Sequence, residues 1–489
     1  MTEKPNVLFL VLDAVRSDHL SCYGYDRETT PNIDALAADG VRYEHAISPS
    51  IWTPPVHGAI YTGQYPSHVG IQGDSLSIPE GEETVPEALA KRGYRTFTAS
   101  SGAHIRATRG YDRGVDDYVA TQSVSFDWET VRRCLTDRAF AKQVGFTLTR
   151  GPDDMTQFKF GRLRQFMADA IDDEQPFYGF VNAKVAHQPF DPPRPYKRLF
   201  CSEYRRPPYE FLDRAMSALG VETERLPGTD REKVTRVAES GGDGVIAGET
   251  ELTEEEWAVV EAWYDGAIRY LDDVVGSVVD FLRDRDAFDD TLLVVTSDHG
   301  DNFGDHGLTS HIFCLYDTLV RVPLIVSPPR DVADGTVVDG QVSLIDLEPT
   351  FREAAGAPRR EYPHSESLLD FEDRRYHEYT FSEYAGFHGP IRRLERKYPE
   401  FDPSGYARGL QSVRDDEYKL VVDSAGDREL YAWREDPAEQ TNLLPERSDT
   451  ADRLEAVLDE RLGALTMPEG YTAPDDAELE AQLKDLGYL

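Results

Sequence analysis

The sequence predicts an α/β fold in which a doubly wound, mostly parallel sheet carries helices on both faces and is followed by a small antiparallel sheet. Three observations lead to this prediction. Short apolar runs alternate with helical patterns over most of the chain, which is the order expected of a doubly wound sheet. These runs are continuous, as in strands that are buried on both faces. Beyond about residue 375 the pattern changes to short strands separated by hairpin turns.

The 489-residue chain is accordingly divided into two units. Residues 1–370 form the α/β unit, and residues 371–489 form a C-terminal subdomain with the small antiparallel sheet and an acidic helical tail. Two segments, 411–423 and 428–436, predict the sheet of the subdomain, and residues 448–489 predict its tail.

The first element is the apolar run of residues 6–12, which directly precedes Asp13. A continuous run of this length is typical of a central parallel strand buried on both faces. Asp13 then lies at the carboxyl end of the strand, where open α/β sheets place ligand sites. A helix is expected to begin at Pro31, because Pro is favoured in a first turn, and a second helix over 84–93 precedes a strand over 94–100.

The remaining elements of the α/β unit follow the same alternation. They are helices within 120–170, a strand over 177–187, a polar surface excursion over 220–255, a long helix over 254–283, and strands over 291–300 and 321–327. The long helix has sustained helical spacing of apolar residues, and its Trp257 and Trp263 are expected to pack in the core. The strand that begins at residue 291 again carries an acid, Asp298, at its carboxyl end.

The charge of the chain is strongly negative. Lys and Arg together number 52 and Asp and Glu 90, which leaves a formal net charge of −38. The acids are dispersed instead of forming a tail, which favours the hydrated surface of a halophile's protein. At about 1 M salt the Debye length is about 3 Å, so that self-repulsion is screened. The charge argues against nucleic acid as a partner, because nucleic-acid binding needs a basic surface.

No segment of the sequence predicts an integral membrane span or a secretory signal. The longest apolar run near the N-terminus, residues 7–12, is far shorter than a span and has no basic region before it. We therefore expect a cytoplasmic protein. Its four cysteines are widely spaced without a CxxC pair, which favours free buried thiols over a zinc site or a disulfide framework. The sequence carries no pattern that predicts the oligomeric state.

Polar residues stand at the carboxyl ends of the predicted strands. Asp13 follows the first strand, Asp298 and His299 follow the strand that begins at residue 291, and Thr53 lies in a third stretch. Strands of an open α/β sheet end at a common edge, so these residues are candidates for one site. Two carboxylates, an imidazole and a hydroxyl form a suitable ligand set for a divalent cation.

Several motifs occur in an order that resembles the sulfatase-like branch of the alkaline phosphatase superfamily. They are the opening strand with Asp13, the segment 29–41, the segment 53–66 that ends in YTGQYP, GYDRGVDDY at 110–118, HQPFDPP at 187–193, SDHGDNFGDHG at 297–307 followed by RVPLIV at 321–326, and the part over 417–443. The resemblance extends over most of the chain. It implies an alkaline-phosphatase-like fold, a catalytic domain over 1–370, and an enzyme that hydrolyses sulfate or phosphate esters.

The chain departs from this family pattern at the reacting group itself. Thr53 stands where type I sulfatases carry the Cys or Ser that is oxidised to formylglycine, and a Thr cannot give that aldehyde by the same route. The expected Arg four residues later is His57, the second Asp of the opening pair is Ala14, and the expected Asn of the later motif is His299. The G-K-x-H stretch is also missing, and SSGAH at 100–104 stands near its place.

These departures change the expected cation and the expected nucleophile. Ala14 and His299 exchange an oxygen ligand for a nitrogen ligand, which favours Mn or Zn over Ca. Thr53 resembles the nucleophile of the phosphodiesterase, phosphomutase and phosphoethanolamine-transferase branches, in which the hydroxyl attacks phosphorus directly. Coordination to a cation would lower the pKa of that hydroxyl. The predicted ligands of one divalent ion are Asp13, Thr53, Asp298 and His299.

Three histidines are candidates for contacts with the reacting groups. His187 and His311 are predicted on the leaving-group side, where the resemblance places a His and a Lys or His. His57 is predicted to hydrogen-bond Thr53 or a substrate oxygen. Thr53 also has a competing interpretation as the cap of a helix that begins near Pro54.

Four other polar residues have weaker claims on the site. Arg16 is expected to form a surface salt bridge in preference to binding an anionic group of the substrate. Asp301 and Asp305 are expected to shape their loop or to be solvated, and His306 is interpreted as either structural or functional.

The sequence thus predicts a metal-dependent hydrolase that uses Thr53 on a small anionic ester, carried on a glycan or lipid or free. Phosphodiesters and phosphonates are favoured over sulfates, which stay open because a sulfuryl-Thr is also hydrolysable. The alternatives are a transferase that moves a phospho head group to a lipid or glycan, and a non-catalytic binding protein with this fold. Retention of the predicted ligands argues against the second. Specificity is expected in the loops of 101–170 and 190–250, which carry no pattern that identifies the substrate.

Overall fold

The computed structural model of the chain describes residues 4–73, 75–101, 105–121, 128–201, 230–328, 335–360, 362, 364–370, 377–386 and 388–463. Its strands are β1 (Asn6–Leu12), β2 (Val41–Ile47), β3 (Arg95–Ser101), β4 (Asp117–Thr121), β5 (Phe177–Ala183), β6 (Thr291–Thr296), β7 (Asn302–Phe303), β8 (Thr309–Ser310), β9 (Arg321–Val322), β10 (Leu324–Ser327), β11 (Thr336–Ser343), β12 (Thr380–Tyr384), β13 (Leu410–Arg414), β14 (Lys419–Asp423) and β15 (Arg428–Tyr431).

The α-helices alternate with these strands. They are α1 (Pro31–Asp39), α2 (Thr53–Thr62), α3 (Pro66–Val69), α4 (Val85–Ala90), α5 (Trp128–Thr136), α6 (Arg138–Arg150), α7 (Thr156–Asp172), α8 (Arg231–Ser240), α9 (Asp243–Ile246), α10 (Glu254–Asp284), α11 (Asp317–Val320), α12 (Leu347–Ala354), α13 (His388–Lys397) and α14 (Ser448–Arg461). In the described parts of the chain, no helix combines the length and the apolar character that a membrane crossing requires.

The main sheet has nine strands in the order β11-β2-β10-β6-β1-β5-β3-β4, with β9 paired to β2. Neighbours from β6 through β1, β5 and β3 to β4 are parallel, and β11 is parallel to β2. Strand β10 is antiparallel to both β6 and β2. The sheet is therefore mostly parallel, which confirms the predicted fold class.

Strand β1 lies inside this sheet and is covered on both faces. Leu8 and Leu10 pack in the cluster that contains α1, α7 and α10, whereas Val7 and Phe9 pack in the cluster that contains α2, α4 and α12. Alternate side chains of a strand point to opposite faces, so a strand between two helical layers needs a continuous apolar run. Full burial of each such side chain contributes roughly 1.5–3 kcal/mol.

The helix boundaries follow from capping residues that the sequence displays. Helix α10 begins after Thr253, whose side chain forms a capping box with Glu256. Helix α4 begins after Thr84 in the same way, and α1 begins with Pro31, as predicted. The described part of the segment 120–170 contains α5, α6 and most of α7, in agreement with the partly helical prediction.

The small antiparallel sheet near the C-terminus is confirmed, with the strand order β12-β13-β14-β15. Apolar residues of α14 cover it. A buried charge cluster joins the sheet to α11, because Asp317 accepts hydrogen bonds from Arg414 Nη1 at 2.8 Å and from Lys419 Nζ at 2.9 Å. The boundary between 370 and 371 stays a prediction, and the tail beyond residue 463 lies outside the described residues.

Two parts of the chain differ from the prediction. Strands β2, β4 and β11 have mixed polar and apolar sequences, and the pattern did not predict them. Of the excursion predicted over 220–255, residues 220–229 lie outside the described residues. The described part is not wholly on the surface, because Val234, Val237 and Ala238 of α8 are buried in the same core cluster as α10. Three apolar side chains at helical spacing were enough to bring this polar segment into the core.

Candidate metal centre and active site

Asp13 lies directly after β1, at the carboxyl edge of the sheet. Its backbone N–H donates to the carbonyl of Ala183 on β5 at 3.0 Å, which continues the strand pairing into the site. Its side chain is 1% exposed. Asn182 Nδ2 donates to Asp13 Oδ2 at 2.9 Å, so one carboxylate oxygen is occupied by an amide.

Asp298 and His299 follow the next strand, β6, at the same edge. Asp298 Oδ1 accepts hydrogen bonds from the His299 N–H at 3.1 Å and from the Ala14 N–H at 3.3 Å. Ser48 Oγ donates to the backbone carbonyl of Asp298 at 2.6 Å and holds the loop. His299 Nδ1 contacts the carbonyl of Gly300 at 2.9 Å. A carbonyl only accepts, so this nitrogen carries a hydrogen, and in the neutral ring Nε2 has the lone pair that a cation would bind.

The structure brings three of the predicted ligands together. One ligand atom each from Asp13, Asp298 and His299 lies within 4.8 Å of the other two, and all three residues are buried. His299 Nε2 is 3.7 Å from Asp13 Oδ1 and 3.7 Å from Asp298 Oδ2. These three atoms are buried and lack a hydrogen-bond partner in the described part of the chain. Buried polar atoms are normally paired, and ligands of one Zn or Mn ion stand roughly 3–4 Å apart. The residues therefore fit a divalent cation.

The electrostatics of this cluster point the same way. Burial, followed by the charge of Asp298, raises the pKa of Asp13 to about 7. Burial lowers the pKa of His299, but Asp298 and Asp13 outweigh burial and raise that pKa above its ordinary value. Two buried carboxylates this close disfavour each other's charged forms. A divalent cation among the three residues would remove this conflict.

Ala14 occupies the turn between β1 and the rest of the site. Its φ is 64°, in the left-handed region that non-glycine residues seldom adopt. Its carbonyl accepts from the Tyr264 hydroxyl at 2.8 Å, and its N–H donates to Asp298. Where the family pattern places a second carboxylate, this chain uses only the backbone to join the two sides of the site.

Thr53 is the first residue of α2 and is 3% exposed. The cap of this helix is Trp52, and no side chain caps it, so the competing interpretation of Thr53 as a helix cap is wrong. Pro54 and Pro55 follow in the first turn, where the missing N–H groups cost nothing. The helix start places the Thr53 hydroxyl near the positive end of the helix dipole, which favours an anion.

His57, one turn into α2, connects Thr53 to the cluster. Its Nδ1 donates to the backbone carbonyl of Thr53 at 2.9 Å and lies 3.7 Å from Asp298 Oδ2. The predicted contact with Thr53 therefore exists, but through the main chain. Burial lowers the pKa of His57, which favours the neutral ring. Its buried Nε2 has no partner among the described residues and carries a lone pair.

His187 and His311 lie beside His299. The ring of His311 is stacked on that of His299 at 4.4 Å between centroids, and the ring of His187 is 4.8 Å from that of His311. His187 Nδ1 donates to the carbonyl of Gln188 at 2.7 Å. His311 Nδ1 is 4.0 Å from Asp301 Oδ2. Three imidazoles from three separate segments thus form one wall of the site.

The polar residues with weaker claims have structural partners. Arg16 is buried, not at the surface, since its guanidinium bonds Asp18 and Asp305 and the backbone carbonyl of Asp301. Asp305 and Asp301 shape their loop by accepting backbone N–H groups, and Asp301 is fully buried instead of solvated. His306 stacks on Tyr316, away from the three imidazoles, with centroids 3.7 Å apart.

Two polar residues at the site were missed in the sequence. Asn182 is the penultimate residue of β5, and its side chain donates a hydrogen bond to Asp13. Lys159 of α7 donates a hydrogen bond to the backbone carbonyl of Asn182. Asn182 follows an apolar run at a strand end, which is the signal that indicated Asp13 and Asp298. Lys159 carries no such signal, because a lysine on an amphipathic helix is normally exposed.

Comparison with known proteins agrees with the fold. The model of the family "Sulfatase" matches residues 5–357, and the model "N-sulphoglucosamine sulphohydrolase, C-terminal" matches residues 304–467. The "Uncharacterized sulfatase YidJ" of Escherichia coli (strain K12) is 24% identical over 451 residues, which cover 90% of this chain and 83% of the relative.

Two solved structures show the shared fold. The phosphonate monoester hydrolase of Agrobacterium radiobacter has a TM-score of 0.68 and 21% identity, over 98% of this chain and 96% of its own. The protein BT4656, solved with its substrate D-glucosamine-2-N,6-O-disulfate, has a TM-score of 0.66 and 17% identity, over 94% of this chain and 97% of its own. The family match over 5–357, the sheet and the three buried ligand atoms agree. The chain belongs to the sulfatase family of the alkaline phosphatase superfamily and is an ester hydrolase.

Proposed function

We propose that this protein hydrolyses phosphodiesters or phosphonate monoesters in preference to sulfate esters, by direct attack of Thr53. The observation that carries the proposal is the place of Thr53 at the start of α2, one turn before His57, whose ring lies 3.7 Å from Asp298. A threonine cannot supply the formylglycine of type I sulfatases. The reaction must therefore begin from an alcohol.

The residues that would hold the cation are Asp13, Asp298 and His299, with the Thr53 hydroxyl as a further ligand. This set of two carboxylates and one imidazole suits Mn or Zn better than Ca, which prefers six to eight oxygens. When bound, such an ion supplies Lewis-acid stabilisation of anionic oxygens.

In the first half of the reaction Thr53 is the nucleophile. Its Oγ forms a bond to phosphorus, and the bond from phosphorus to the leaving oxygen breaks. The neutral ring of His57 has an unpartnered Nε2, and this nitrogen accepts the proton of the Thr53 hydroxyl. His311 or His187, whose rings lie 4.4 Å and 6.3 Å from the ring of His299, donates a proton to the leaving oxygen. The product of this half is an ester of Thr53 that keeps the other substituent on phosphorus, which is an alkoxy group from a phosphodiester or a carbon group from a phosphonate monoester.

In the second half a water molecule attacks the phosphoryl-Thr53 ester. The P–Oγ bond breaks, and the deprotonated imidazole on the leaving-group side accepts the proton of the water. Thr53 recovers its proton from His57. Both histidines then have their starting protonation, so the cycle is balanced without a further reactant.

The substrate class and the conditions in which the enzyme works are proposed from different observations. The phosphonate monoester hydrolase with the same fold supports phosphorus esters, and the sulfated glucosamine bound by BT4656 keeps an ester on a sugar as a candidate. We also propose that the acidic surface, with its net charge of −38, serves a cytoplasmic enzyme that works at high salt.

The test is a substrate panel at high salt with the metal-stripped protein and with added Mn²⁺ or Zn²⁺. The panel compares aryl phosphomonoesters, phosphodiesters, phosphonate monoesters and aryl sulfates. We expect turnover of the phosphodiesters or the phosphonate monoesters, and only when the metal is present. Mass spectrometry of acid-quenched enzyme should show on Thr53 the substituted phosphoryl group of a phosphodiester or the phosphonyl group of a phosphonate monoester. Full turnover by Thr53→Ala would contradict the proposal, and faster turnover of sulfates would contradict the substrate preference.

A further inference from the structure

Lys159 is a fully buried lysine at the carboxyl edge of the main sheet. Its side chain is 0% exposed, and its ammonium has three hydrogen-bond acceptors. They are the carbonyl of Asn182 at 3.0 Å, Ser101 Oγ at 2.9 Å and Asp154 Oδ2 at 2.7 Å. Every hydrogen of the ammonium is therefore used. A buried charge is costly unless it is paired in this way.

The three acceptors belong to segments that surround the candidate metal centre. Ser101 is the last residue of β3, and Asn182 is the penultimate residue of the neighbouring strand β5. Asn182 is opposite Val11, two residues before Asp13. Asp154 lies in the turn before α7, where it and Met155 have φ values of 51° and 59°. The lysine thus ties two strand ends and a strained turn together next to the ligand Asp13.

Asn182 connects Lys159 to the metal ligand Asp13. Its main-chain carbonyl accepts from Lys159, and its side-chain Nδ2 donates to Asp13 Oδ2 at 2.9 Å. The other oxygen, Asp13 Oδ1, has no partner in the described part of the chain and faces His299 Nε2 at 3.7 Å. The amide therefore determines which oxygen of Asp13 is free and in which direction it points.

We propose that Asn182 and Lys159 are positioning residues for the metal centre: Lys159 holds the end of β5, and Asn182 orients the Asp13 carboxylate so that Oδ1 faces the cation. This inference rests on the proposed metal-dependent function. Neither residue contacts the reacting atoms in this arrangement. Groups that hydrogen-bond a metal ligand typically change metal affinity by about 10- to 100-fold when they are removed.

The experiment measures Mn²⁺ and Co²⁺ affinity of the chelator-stripped full chain at high salt by titration calorimetry. Asn182→Leu keeps the side-chain volume but removes the N–H donor, and Asn182→Ala also removes the volume. Lys159→Met is combined with Asp154→Asn so that no unpaired carboxylate is left. We expect dissociation constants about 10- to 100-fold higher for the Asn182 variants, a smaller increase for the Lys159 variant, and an altered visible absorption of bound Co²⁺.

Asn32→Ala is the matched control. Asn32 Nδ2 donates to Asp272 Oδ2 at 2.7 Å, so it is the same kind of Asn–Asp pair, but it lies at the start of α1. This variant should lose a similar side-chain bond without a change in metal affinity. A change in affinity as large as that of Asn182→Ala would overturn the inference, because any lost bond would then have the same effect.

The outcomes separate the inference from the proposed function. If the wild-type chain binds the ions and the Asn182 variants bind equally well, the positioning role is overturned while the function stands. If the wild-type chain binds neither ion, both are overturned. If the Asn182 variants do not fold, the Lys159 variant tests the positioning role. Unchanged metal affinity and an unchanged Co²⁺ spectrum in that variant would overturn the role of the lysine.

Discussion

The imidazole of His299 stacks on that of His311, with ring centroids 4.4 Å apart and the ring planes at 23°. His299 is a candidate metal ligand, whereas His311 is proposed to act on the leaving group. A charge on either ring acts on the other, because charges this close interact strongly. Asp301 Oδ2 lies 4.0 Å from His311 Nδ1. The stack therefore couples the metal centre to the group proposed as the acid.

A role of His311 as the acid predicts a dependence on the leaving group. His311→Ala should lower kcat by about 10²- to 10⁴-fold for esters of poorly acidic alcohols, which need protonation on departure. Nitrophenyl esters, whose leaving group needs no proton, should lose far less. The measurement is the slope of log kcat against leaving-group pKa for the wild type and the variant.

His306→Ala is the control for His311→Ala. It removes a histidine from the same loop, but one that stacks on Tyr316 instead of on His299. An equal loss for good and poor leaving groups in His311→Ala would show that His311 positions the substrate and is not the acid.

The metal centre predicts a stability response that does not depend on turnover. Ligand at 100 times its Kd raises the free energy of unfolding by about 2.7 kcal/mol when only the native state binds. We expect Mn²⁺ to raise the Tm of the stripped wild-type protein, and Asp298→Asn to lose most of that rise, because it removes one of the two carboxylates near His299. Scanning calorimetry with and without Mn²⁺ measures both. A full Mn²⁺ response in Asp298→Asn would place the ion elsewhere.

Glu383 on β12 predicts a pH dependence of stability outside the active site. Burial raises its pKa to about 7, although the Ser67 N–H donates to its Oε1 at 2.7 Å. Because the folded pKa is raised, the stabilising effect of the protonated group is complete below about pH 4.5 and is lost as the pH rises to about 7. Glu383→Gln, neutral at every pH, should therefore be more stable than the wild type by about 2–3 kcal/mol at pH 8. Urea unfolding at pH 5 and pH 8 tests this.

Glu417→Gln is the comparison for Glu383→Gln, because Glu417 is exposed in the turn between β13 and β14. Its stability difference from the wild type should be small at both pH values. An equal gain in both variants at pH 8 would attribute the effect to net charge instead of to burial of Glu383.

The net charge of −38 predicts that salt stabilises the fold. Raising KCl from about 0.1 M to about 1 M shortens the Debye length from about 10 Å to about 3 Å, which screens repulsion among the acidic side chains. We expect the midpoint of thermal unfolding to rise steadily over this range. Sucrose, an uncharged stabiliser, is the control for solvent effects without screening. A midpoint that falls or stays constant in KCl would contradict the high-salt proposal.

Local sequence was sufficient where a feature depends on neighbours in the chain. The apolar run before Asp13 predicted a buried strand and a polar residue at its end, and the residues around Pro31 predicted the start of α1. The periodicity from Glu254 predicted nearly the whole of α10. Strand β2 was missed because its sequence, VRYEHAI, does not show the burial that neighbouring strands impose on it. Arg16 was placed wrongly at the surface because its partner Asp305 comes from a distant segment.

By itself the sequence determined the sheet class, the acids and imidazole at two strand ends, and the alcohol at position 53. Only the tertiary structure decided which oxygen of Asp13 is free, that His299 stacks on His311, and that a buried Lys159 supports Asn182. These features depend on the directions of side chains from segments far apart in the chain. Periodicity indicates which face of an element a residue occupies, but it does not indicate which residues pack against that face after folding.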